Sequence, residues 1–406
     1  MEEERKSNLV RNLVVGLFLL MLGFGMGSLF QSLQGSGALR GAKNGTYSTQ
    51  ENLDMEAVED KIQLLNTEIN NYYLDDVDYT DVEEGIYKGM LSGLGDPYSE
   101  YYTGEEYDQI LESTSGSYCG IGATLTQNRE DGSCTVVNTF EGSPAAEGGL
   151  LEGDIIYKVE DMEVTGMDLS RIVSYVKGEE GTTVKLTILR DGREKEVTLV
   201  RRPIEVSTVT YEMMENQIGY IALSEFDEVS TKQFRAALQD LESQGMKGLV
   251  VDLRNTPGGM LTVVVEILDM FLPEGTVVYT EDKYGNRQDY TASAKVETEA
   301  PLAVLVNGYS ASASEIFAGA IKDYGRGTLV GTTTYGKGIV QRIMNLQDGS
   351  AIKLTVAAYY TPNGNNIHGK GVEPDVEVEL TEENTAADED GNARDPQLEK
   401  ALEMLQ

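Results

Sequence analysis

The chain contains 406 residues, a length that suits two or three domains with cores of their own. Its 68 acidic residues outnumber 32 basic ones and give a net charge of −36. This balance argues against a nucleic-acid-binding protein, which needs basic patches, and carries no information about the fold.

The N-terminal segment differs in character from the rest of the chain. Arg5, Lys6 and Arg11 precede 19 uncharged residues, 12–30, which are long enough to span a bilayer as one helix. Because the basic flank comes first, we expect residues 1–30 to form a cytoplasmic N-terminus and a transmembrane signal anchor. The alternative is a cleaved signal peptide. An uncleaved anchor is favoured, because the apolar run is longer than a usual signal-peptide core and no clear cleavage motif follows.

Two segments of different composition follow the apolar run. Residues 31–52 are rich in Gly, Ser and Asn, which predicts a flexible linker. Residues 53–115 repeat apolar side chains at helical spacing, as at Val58, Ile62 and Leu65. A helical N-terminal region is therefore expected there.

Residues 116–203 read as five or so short β-strands with one helix, Ser170–Lys177. This pattern predicts a small β-barrel-like module. The module contains both cysteines, Cys119 and Cys134. A hairpin turn between them would place Cys134 opposite a residue near Arg129, so we expect free thiols, and no metal-binding spacing is present.

Residues 204–380 alternate between predicted strands and helices, which indicates parallel strands with helices packed on them. The expected strands are Ile218–Leu223, Leu249–Leu253, Leu302–Asn307 and Thr328–Gly331, and the expected helices are Thr231–Gln244, Leu261–Phe271 and Glu315–Tyr324. Residues 381–406 form an acidic linker, followed by a short helix from Asp395 that docks on the core.

The candidate nucleophile lies just before the last of these helices. Three serines at alternate positions, Ser310, Ser312 and Ser314, precede it. The first amides of a helix have no intrahelical acceptor, so a developing oxyanion can be stabilised beside them. This is a setting for a nucleophilic serine, and the other two serines are candidate helix caps.

A serine nucleophile needs a base, and the only histidine in the chain is His368, in a polar turn. A Ser-His-Asp triad would have to use it, but no nearby residue marks an orienting acid. Lys337 is the alternative, because burial can lower a lysine pKa from about 10.4 by roughly three units. We expect Lys337 and Gln341 in one strand, where positions i and i+4 face the same side and Gln341 can hold the amine.

A second part of the site is expected from residues 249–260, LVVDLRNTPGGM. An apolar run that ends in a Gly-rich turn predicts a buried parallel strand, and ligands bind at the carboxyl ends of such strands. Gly258 and Gly259 lack Cβ and can turn their amides towards a ligand. Both glycines stay candidates.

These motifs together resemble those of the C-terminal processing peptidases, which are serine endopeptidases with a Ser-Lys pair. The resemblance is carried by SASASEIFAGAIKDYGR and, after it, GTTTYGKGIVQ. It implies that Ser312 is the nucleophile, that Lys337 is the base and that Gln341 positions the lysine. It also implies an oxyanion hole made by the Ala313 amide and an amide of the Pro-Gly-Gly turn.

Other sequence motifs extend the resemblance over residues 53–406. The sequence GSPAAEGGLLEGDIIYKVEDMEVTGMDL is similar to that of a PDZ domain. This resemblance implies a carboxylate-binding loop at Gly120, Ile121 and Gly122 that receives a peptide C-terminus. The phrase LGDPYS, residues 94–99, is similar to the family's N-terminal region, which helps to associate a homodimer. The family's peptidase core is crotonase-like.

The expected protein is a multidomain α/β serine endopeptidase at the bacterial cell membrane, with its catalytic part extracytoplasmic and no cofactor. Its substrates are proteins and peptides held by their C-terminal tails. One rival is a non-catalytic PDZ adaptor on a degenerate peptidase core. The other is a crotonase-type acyl-CoA enzyme, which needs a cytosolic cofactor and does not fit an exported PDZ module.

Overall fold

The computed structural model describes residues 52–129, 131–381, 384–385 and 394–406. The predicted anchor, nearly all of the 31–52 linker and most of the acidic segment lie outside these ranges. Within the ranges, no helix combines the length and apolar character that crossing a bilayer requires. The anchor therefore stays a prediction, as does the homodimer.

The described chain contains nine helices and nineteen strands. The helices are Met55–Tyr72 (α1), Tyr79–Ser92 (α2), Gly104–Ser115 (α3), Pro144–Glu147 (α4), Leu169–Val176 (α5), Ser230–Ser243 (α6), Leu261–Leu268 (α7), Ala313–Tyr324 (α8) and Pro396–Met404 (α9). Strands β1 to β10 are Glu100–Tyr102, Ser117–Gly120, Ala123–Gln127, Cys134–Thr139, Ile155–Val159, Met162–Glu163, Thr183–Arg190, Arg193–Val200, Arg202–Glu205 and Val209–Met213. Strands β11 to β19 are Ile218–Leu223, Gly248–Asp252, Gly275–Asp282, Arg287–Ala292, Leu302–Val306, Thr328–Gly331, Ile339–Asn345, Ala351–Tyr360 and Val376–Glu377.

Helix α1 belongs to a separate compact unit that ends at Asp78. The predicted helical spacing is confirmed here, and Val58, Ile62 and Leu65 lie one turn apart on the helix. All three side chains are exposed within the described residues. The second unit, residues 79–406, holds all the other elements.

Residues 116–203 fold into the expected small β module. Its main sheet has the order β3-β4-β5-β7-β8 with antiparallel neighbours, and β2 pairs separately with β9. Leu186 and Ile188 of β7 face the same side of the sheet and are fully buried. The predicted first strand is divided at Ile121 and Gly122, where the chain leaves β9 and begins to pair with β4.

Both cysteines are free thiols, as predicted. Cys134 is opposite Gln127 in the β3–β4 hairpin, whereas Cys119 is opposite Pro203 in the β2–β9 pair. The two residues therefore lie in different sheets. Cys134 is fully buried rather than half-buried, and burial raises the pKa of its thiol to about 11.

The peptidase-like region contains the predicted parallel sheet. Its strand order is β10-β11-β12-β15-β16-β19, and every pair from β11 to β19 is parallel. Strands β12 and β15 are buried at every residue, which explains their uninterrupted apolar sequences. Phe271, three residues after α7, packs between Phe234 of α6 and Phe317 of α8, and the rings meet edge to face at 5.8 and 5.9 Å.

A second, antiparallel sheet has the order β1-β18-β13-β14, and β17 also pairs with β18. Strand β1 comes from the region that the sequence predicts to be helical. Its three residues pair with Lys353, Ile352 and Ala351. The LGDPYS segment is therefore joined to the sheet that follows the Lys337 loop.

The C-terminal helix α9 docks on the parallel sheet, as predicted, and its Ala401 is fully buried against β11, β12, β15 and β16. Arg254, at the carboxyl end of β12, fixes the start of the helix. Its guanidinium contacts Asp252 at 2.6 Å and Asp395 at 2.8 Å. The loop that leads to Gly258 and the tail helix are thus held by one buried cation.

Candidate active site

Ser312 lies immediately before α8 in a backbone conformation that serine rarely adopts. Its φ is 55° and its ψ is −112°. Such a conformation costs about 1–3 kcal/mol and persists only where surrounding contacts enforce it. The Glu315 amide, which an N-cap hydroxyl would bind, donates to the Ser312 carbonyl at 2.9 Å. The turn therefore presents the side chain instead of using it for local structure.

Two buried side chains hold the backbone of Ser312. The Ser312 amide donates to Oε2 of Glu315 at 2.9 Å, and the Tyr359 hydroxyl donates to the Ser312 carbonyl at 3.1 Å. Burial raises the pKa of Tyr359 well above its usual range, so this hydroxyl stays protonated. The backbone amide and carbonyl of Ser312 are therefore both satisfied without its hydroxyl.

Glu315 is fully buried and connects Ser312 to the lysine loop. Its Oε1 accepts hydrogen bonds from Thr334 Oγ1 at 2.6 Å and from the Gly336 amide at 2.7 Å. Its Oε2 accepts from the Lys337 amide at 2.8 Å as well as from Ser312. The sequence prediction missed this role. The available signal was the Ser-x-x-Glu spacing of a helix start.

The flanking serines do not cap α8, contrary to the prediction. Ser310 Oγ donates to the Leu253 carbonyl at 2.8 Å, and Ser314 Oγ donates to the Thr256 carbonyl at 2.8 Å. Both serines are fully buried. They tie the turn that contains Ser312 to the loop that follows β12, because that loop has carbonyls without strand partners.

Lys337 is half-buried in the loop before β17. Burial lowers the pKa of its amine, and Lys353 lowers it further, while Glu100, Asp96 and Glu315 act in the opposite direction. The net pKa lies below the usual lysine value, which favours the neutral form that a general base needs. No hydrogen bond joins Lys337 Nζ to Ser312 Oγ within the described residues. The nitrogen lies over the ring of Tyr98, 4.5 Å from its centroid.

The two glycines beside Lys337 let the loop approach packed backbone. A Cβ on Gly338 would lie 2.5 Å from the amide nitrogen of His368, and one on Gly336 would lie 3.1 Å from that of Gly371. His368 is therefore next to this loop, but its side chain is exposed, and no described carboxylate forms an ion pair with it. It lacks the orienting acid of a triad.

Gln341 lies in β17, but Lys337 does not. The strand begins at Ile339, and its register with β18 shifts between Val340 and Gln341. The expected same-face relation of the two residues is therefore wrong. The Gln341 amide donates to Thr355 Oγ1 at 3.3 Å, and its predicted role towards Lys337 stays a prediction.

The structure distinguishes the two glycines of the Pro-Gly-Gly turn. A Cβ on Gly258 would lie 2.8 Å from Ser312 Cβ and 2.9 Å from the Ala313 nitrogen, whereas one on Gly259 would meet the Phe226 carbonyl at 2.4 Å. Gly258 thus lies against Ser312. Its carbonyl accepts from the Phe226 amide at 2.8 Å. Within the described residues, the amides of Gly258 and Ala313 donate no hydrogen bond, so both are available to a ligand.

The predicted carboxylate-binding loop joins β2 to β3. The Ile121 carbonyl accepts from the Ala145 amide at 2.8 Å, and the Gly122 carbonyl accepts from the Phe140 amide at 2.9 Å. Gly120 is packed against the Tyr118 ring, which a Cβ would approach to 2.9 Å. The loop is therefore fixed through its carbonyls.

A cation lies beside this loop. Lys177, directly after α5, has Cγ at 3.8 Å from the position of a Cβ on Gly120. Its Nζ lies 4.9 Å from the centroid of the Tyr118 ring and forms an ion pair with Glu112 of α3. A peptide carboxylate in the loop would lie near this amine and compete with Glu112 for it.

Three segments of the chain match known domain families. Residues 217–378 match peptidase family S41, residues 119–200 match the PDZ domain, and residues 22–106 match the N-terminal domain of the activating protease CtpB. A carboxyl-terminal-processing protease from Synechocystis is 38% identical over 333 residues, which cover 80% of this chain and 76% of that protein. The chain belongs to peptidase family S41.

Further relatives of this S41 peptidase carry related names. Carboxy-terminal processing protease CtpB from Bacillus subtilis is 36% identical over 337 residues, covering 82% of this chain and 70% of that protein. The solved photosystem II D1 C-terminal processing protease is 30% identical, with a TM-score of 0.47, covering 81% of this chain and 89% of that one. The predicted family and the PDZ domain are confirmed by the family matches and the curated relatives, and the multidomain α/β fold is confirmed by the architecture described above.

Proposed function

We propose that this S41 peptidase is a membrane-anchored, extracytoplasmic serine endopeptidase. It captures the C-terminal tails of its substrates with the PDZ domain and cleaves them with Ser312 and Lys337. The observation that carries the proposal is the Glu315 carboxylate, whose Oε2 binds the amides of both residues. One buried group thus fixes the backbone of a serine and of a lysine whose pKa is lowered.

In the first step, Ser312 Oγ attacks the carbonyl carbon of the scissile peptide bond. Neutral Lys337 takes the hydroxyl proton and becomes an ammonium, and the carbonyl oxygen becomes an oxyanion. Collapse of this intermediate breaks the C–N bond, and Lys337 gives its proton to the leaving amine. Water then attacks the acyl-enzyme with Lys337 again as base, which releases the new carboxylate and restores Ser312.

The oxyanion is held by the amides of Gly258 and Ala313, which are adjacent and free of other acceptors in the described chain. A preorganised donor of this kind typically contributes roughly 3 kcal/mol to the transition state. Gln341 orients Lys337 in this scheme. Support comes from its bond to Thr355 in the strand next to the lysine loop.

The PDZ domain binds the tail through the loop Gly120–Gly122 and through Lys177. A peptide that adds a strand to a sheet edge gains main-chain hydrogen bonds, while its terminal carboxylate meets loop amides. Lys177 adds a positive charge next to those amides. The domain thereby raises the local concentration of the tail near Ser312.

The membrane anchor is residues 12–30, uncleaved, with the N-terminus in the cytoplasm. Support comes from the sequence, where Arg5, Lys6 and Arg11 directly precede the apolar run. The same arrangement places the PDZ and peptidase domains outside a bacterial cell.

Cleavage of a folded protein that carries an unstructured C-terminal tail tests the proposal. The full chain is incubated with this substrate, and the fragments are identified by mass spectrometry. Ser312→Ala and Lys337→Ala are each expected to abolish cleavage, while circular dichroism shows an unchanged fold. His368→Ala is the matched control and is expected to keep near-wild-type turnover.

Two results would contradict the proposal. Loss of turnover in His368→Ala with turnover retained in Lys337→Ala would move the base to the histidine. Binding of the tail without any cleavage by the wild-type chain would support the adaptor alternative instead.

A further inference from the structure

The LGDPYS segment lies between α2 and β1 and is fixed to β18. The Asp96 carboxylate accepts from the Tyr98 amide at 3.0 Å and from Ser99 Oγ at 2.6 Å. Ser99 Oγ in turn accepts from the Thr355 amide at 3.1 Å. Ser99 is buried. These hydrogen bonds therefore hold the side chain of Tyr98, which precedes Ser99, in a defined position.

The ring of Tyr98 faces Lys337. Lys337 Nζ lies 4.5 Å from the ring centroid. An ammonium within about 6 Å of an aromatic face is attracted by the negative potential of the ring, whereas a neutral amine is not. The contact therefore distinguishes between the two protonation states of the proposed base.

We propose that Tyr98 is a positioning residue for Lys337, and that its ring holds the ammonium form and sets the pH at which the amine becomes available to Ser312. This rests on the proposed function, in which Lys337 is the base. The LGDPYS motif thereby has a role in the chemistry, in addition to its place in the N-terminal region.

The ring acts beside several charged groups that face Lys337. The ammonium is repelled by Lys353, which lies on β18. It is attracted by Glu100 on β1, Asp96 in the LGDPYS segment and Glu315 on α8. Tyr98 itself stays neutral, because burial, then the Tyr335 hydroxyl and nearby acids, raise its pKa to about 12. The ring therefore contributes as a quadrupole and not as a phenolate.

Substitution of Tyr98 separates the ring face from the hydroxyl. We expect Tyr98→Leu to move the acidic limb of the kcat/KM pH profile to lower pH by about half a unit to one unit, because the ammonium loses its aromatic partner. Tyr98→Phe keeps the ring and is expected to keep the wild-type limb. Tyr284→Leu is the matched control, since Lys283 lies 5.0 Å from that ring on an exposed turn.

A second measurement needs no turnover. In full-length Ser312→Ala, the rate of acetic anhydride labelling at Lys337 is followed by mass spectrometry against pH, because only the neutral amine reacts. Tyr98→Leu in this background is expected to lower the labelling midpoint by the same amount, and Tyr98→Phe to leave it unchanged. An unchanged midpoint in Tyr98→Leu, or an equal shift in Tyr98→Phe, would overturn the role of the ring.

The two assays also separate this inference from the proposed function. If the wild-type chain cleaves nothing, the proposed function fails, yet the labelling midpoint still tests the contact between Tyr98 and Lys337. If cleavage depends on Lys337 but the midpoint does not respond to Tyr98→Leu, only the further inference fails.

Discussion

Glu315 binds the backbone amide of Lys337 through Oε2, the same oxygen that binds the amide of Ser312. The two donors lie on segments separated by α8 and β16, so the carboxylate fixes one segment against the other. Because it bonds only to backbone at these two residues, the hydroxyl and the amine stay free to react. A Ser-Lys pair requires two side chains that are precisely placed and whose hydroxyl and amine are not bound by the group that places them.

Replacing the carboxylate should therefore affect turnover more than substrate binding. In the wild type, each carboxylate oxygen of Glu315 accepts two hydrogen bonds. In Glu315→Gln, an NH2 group replaces one of these oxygens and faces two donors. We expect kcat to fall about 10- to 100-fold with KM changed less than about threefold, and unfolding to become easier by roughly 1–3 kcal/mol. Steady-state kinetics and urea unfolding measure both effects.

Ser314→Ala is the matched control for this prediction. It also removes a fully buried hydrogen bond at the start of α8, but its partner is Thr256 and not the lysine loop. A loss of stability near 1 kcal/mol with a much smaller loss of kcat is expected. Equal losses of kcat in both variants would mean that Glu315 acts only through the stability of the helix start.

The backbone of Ser312 should be a measurable source of strain. Both Ser312→Gly and Ser312→Ala lack the hydroxyl, but only glycine tolerates a φ of 55° with a ψ of −112°. We expect the glycine variant to be more stable than the alanine variant by about 1 kcal/mol in urea unfolding. At Ala236, an exposed position inside α6, alanine is expected to be more stable than glycine by a similar amount. The same order at both positions would show that the Ser312 turn is unstrained.

Asp227 should make stability depend on pH in the neutral range. It is buried at the start of the loop before α6, and burial, then Glu225, raise its pKa to about 7. A carboxyl whose pKa is raised by folding contributes stability that is present below its unfolded pKa and is lost as pH rises through the folded value. Stability is therefore expected to fall between about pH 4 and pH 7.

Substitution by Asn isolates this contribution. Asp227→Asn is expected to be more stable than the wild type at pH 8 by roughly 1–4 kcal/mol, and to lose most of that advantage at pH 4. Urea midpoints at the two pH values measure it. Asp161→Asn, at a carboxylate that is 99% exposed, is the control and should give a much smaller difference. An advantage that does not change with pH would contradict the assignment.

The ion pair of Lys177 and Glu112 should compete with a bound tail. Lys177→Gln is expected to weaken binding of a peptide with a free C-terminal carboxylate about 3- to 10-fold, because an amine beside the loop is lost. Glu112→Gln is expected to strengthen it by up to about threefold, because that amine is released from its partner. Isothermal calorimetry with the Ser312→Ala chain measures both.

A C-terminally amidated peptide and Lys195→Gln serve as controls for the tail. Lys195 is an exposed cation on β8 of the same domain, so its loss changes the net charge equally. If Lys195→Gln weakened binding as much as Lys177→Gln does, the effect would come from the overall charge, which is screened by salt. Binding of the amidated peptide that is equally sensitive to Lys177 would also contradict a carboxylate contact.

The regular elements were predictable because their sequences carry a clear period. Strands β11 and β16 have the predicted bounds, and the alternation with helices predicted the parallel sheet. Strand β1 was missed because three residues between two helices show no alternation. Its existence depends on pairing with Lys353 and its neighbours, which is a contact that no local pattern contains.

The site was predictable where it depends on motifs and not where it depends on tertiary contacts. Ser312, Lys337 and Gly258 stand out as a serine before a helix and as residues of Gly-rich turns. The burial of Glu315 is invisible in the sequence, where it reads as an ordinary first-turn glutamate. The strand assignment of Lys337 failed because the Gly336 and Gly338 backbone packs against another loop instead of continuing the ladder.

The short β1–β18 pairing has a consequence for biosynthesis. Glu100 bonds to Lys353, a residue 253 positions further along the chain, and Tyr98 reaches Lys337 only once that strand is in place. A polypeptide leaving the ribosome must thus be almost complete before the lysine meets its aromatic neighbour. During synthesis, the partly made chain therefore lacks the β1–β18 contact that brings Tyr98 to Lys337.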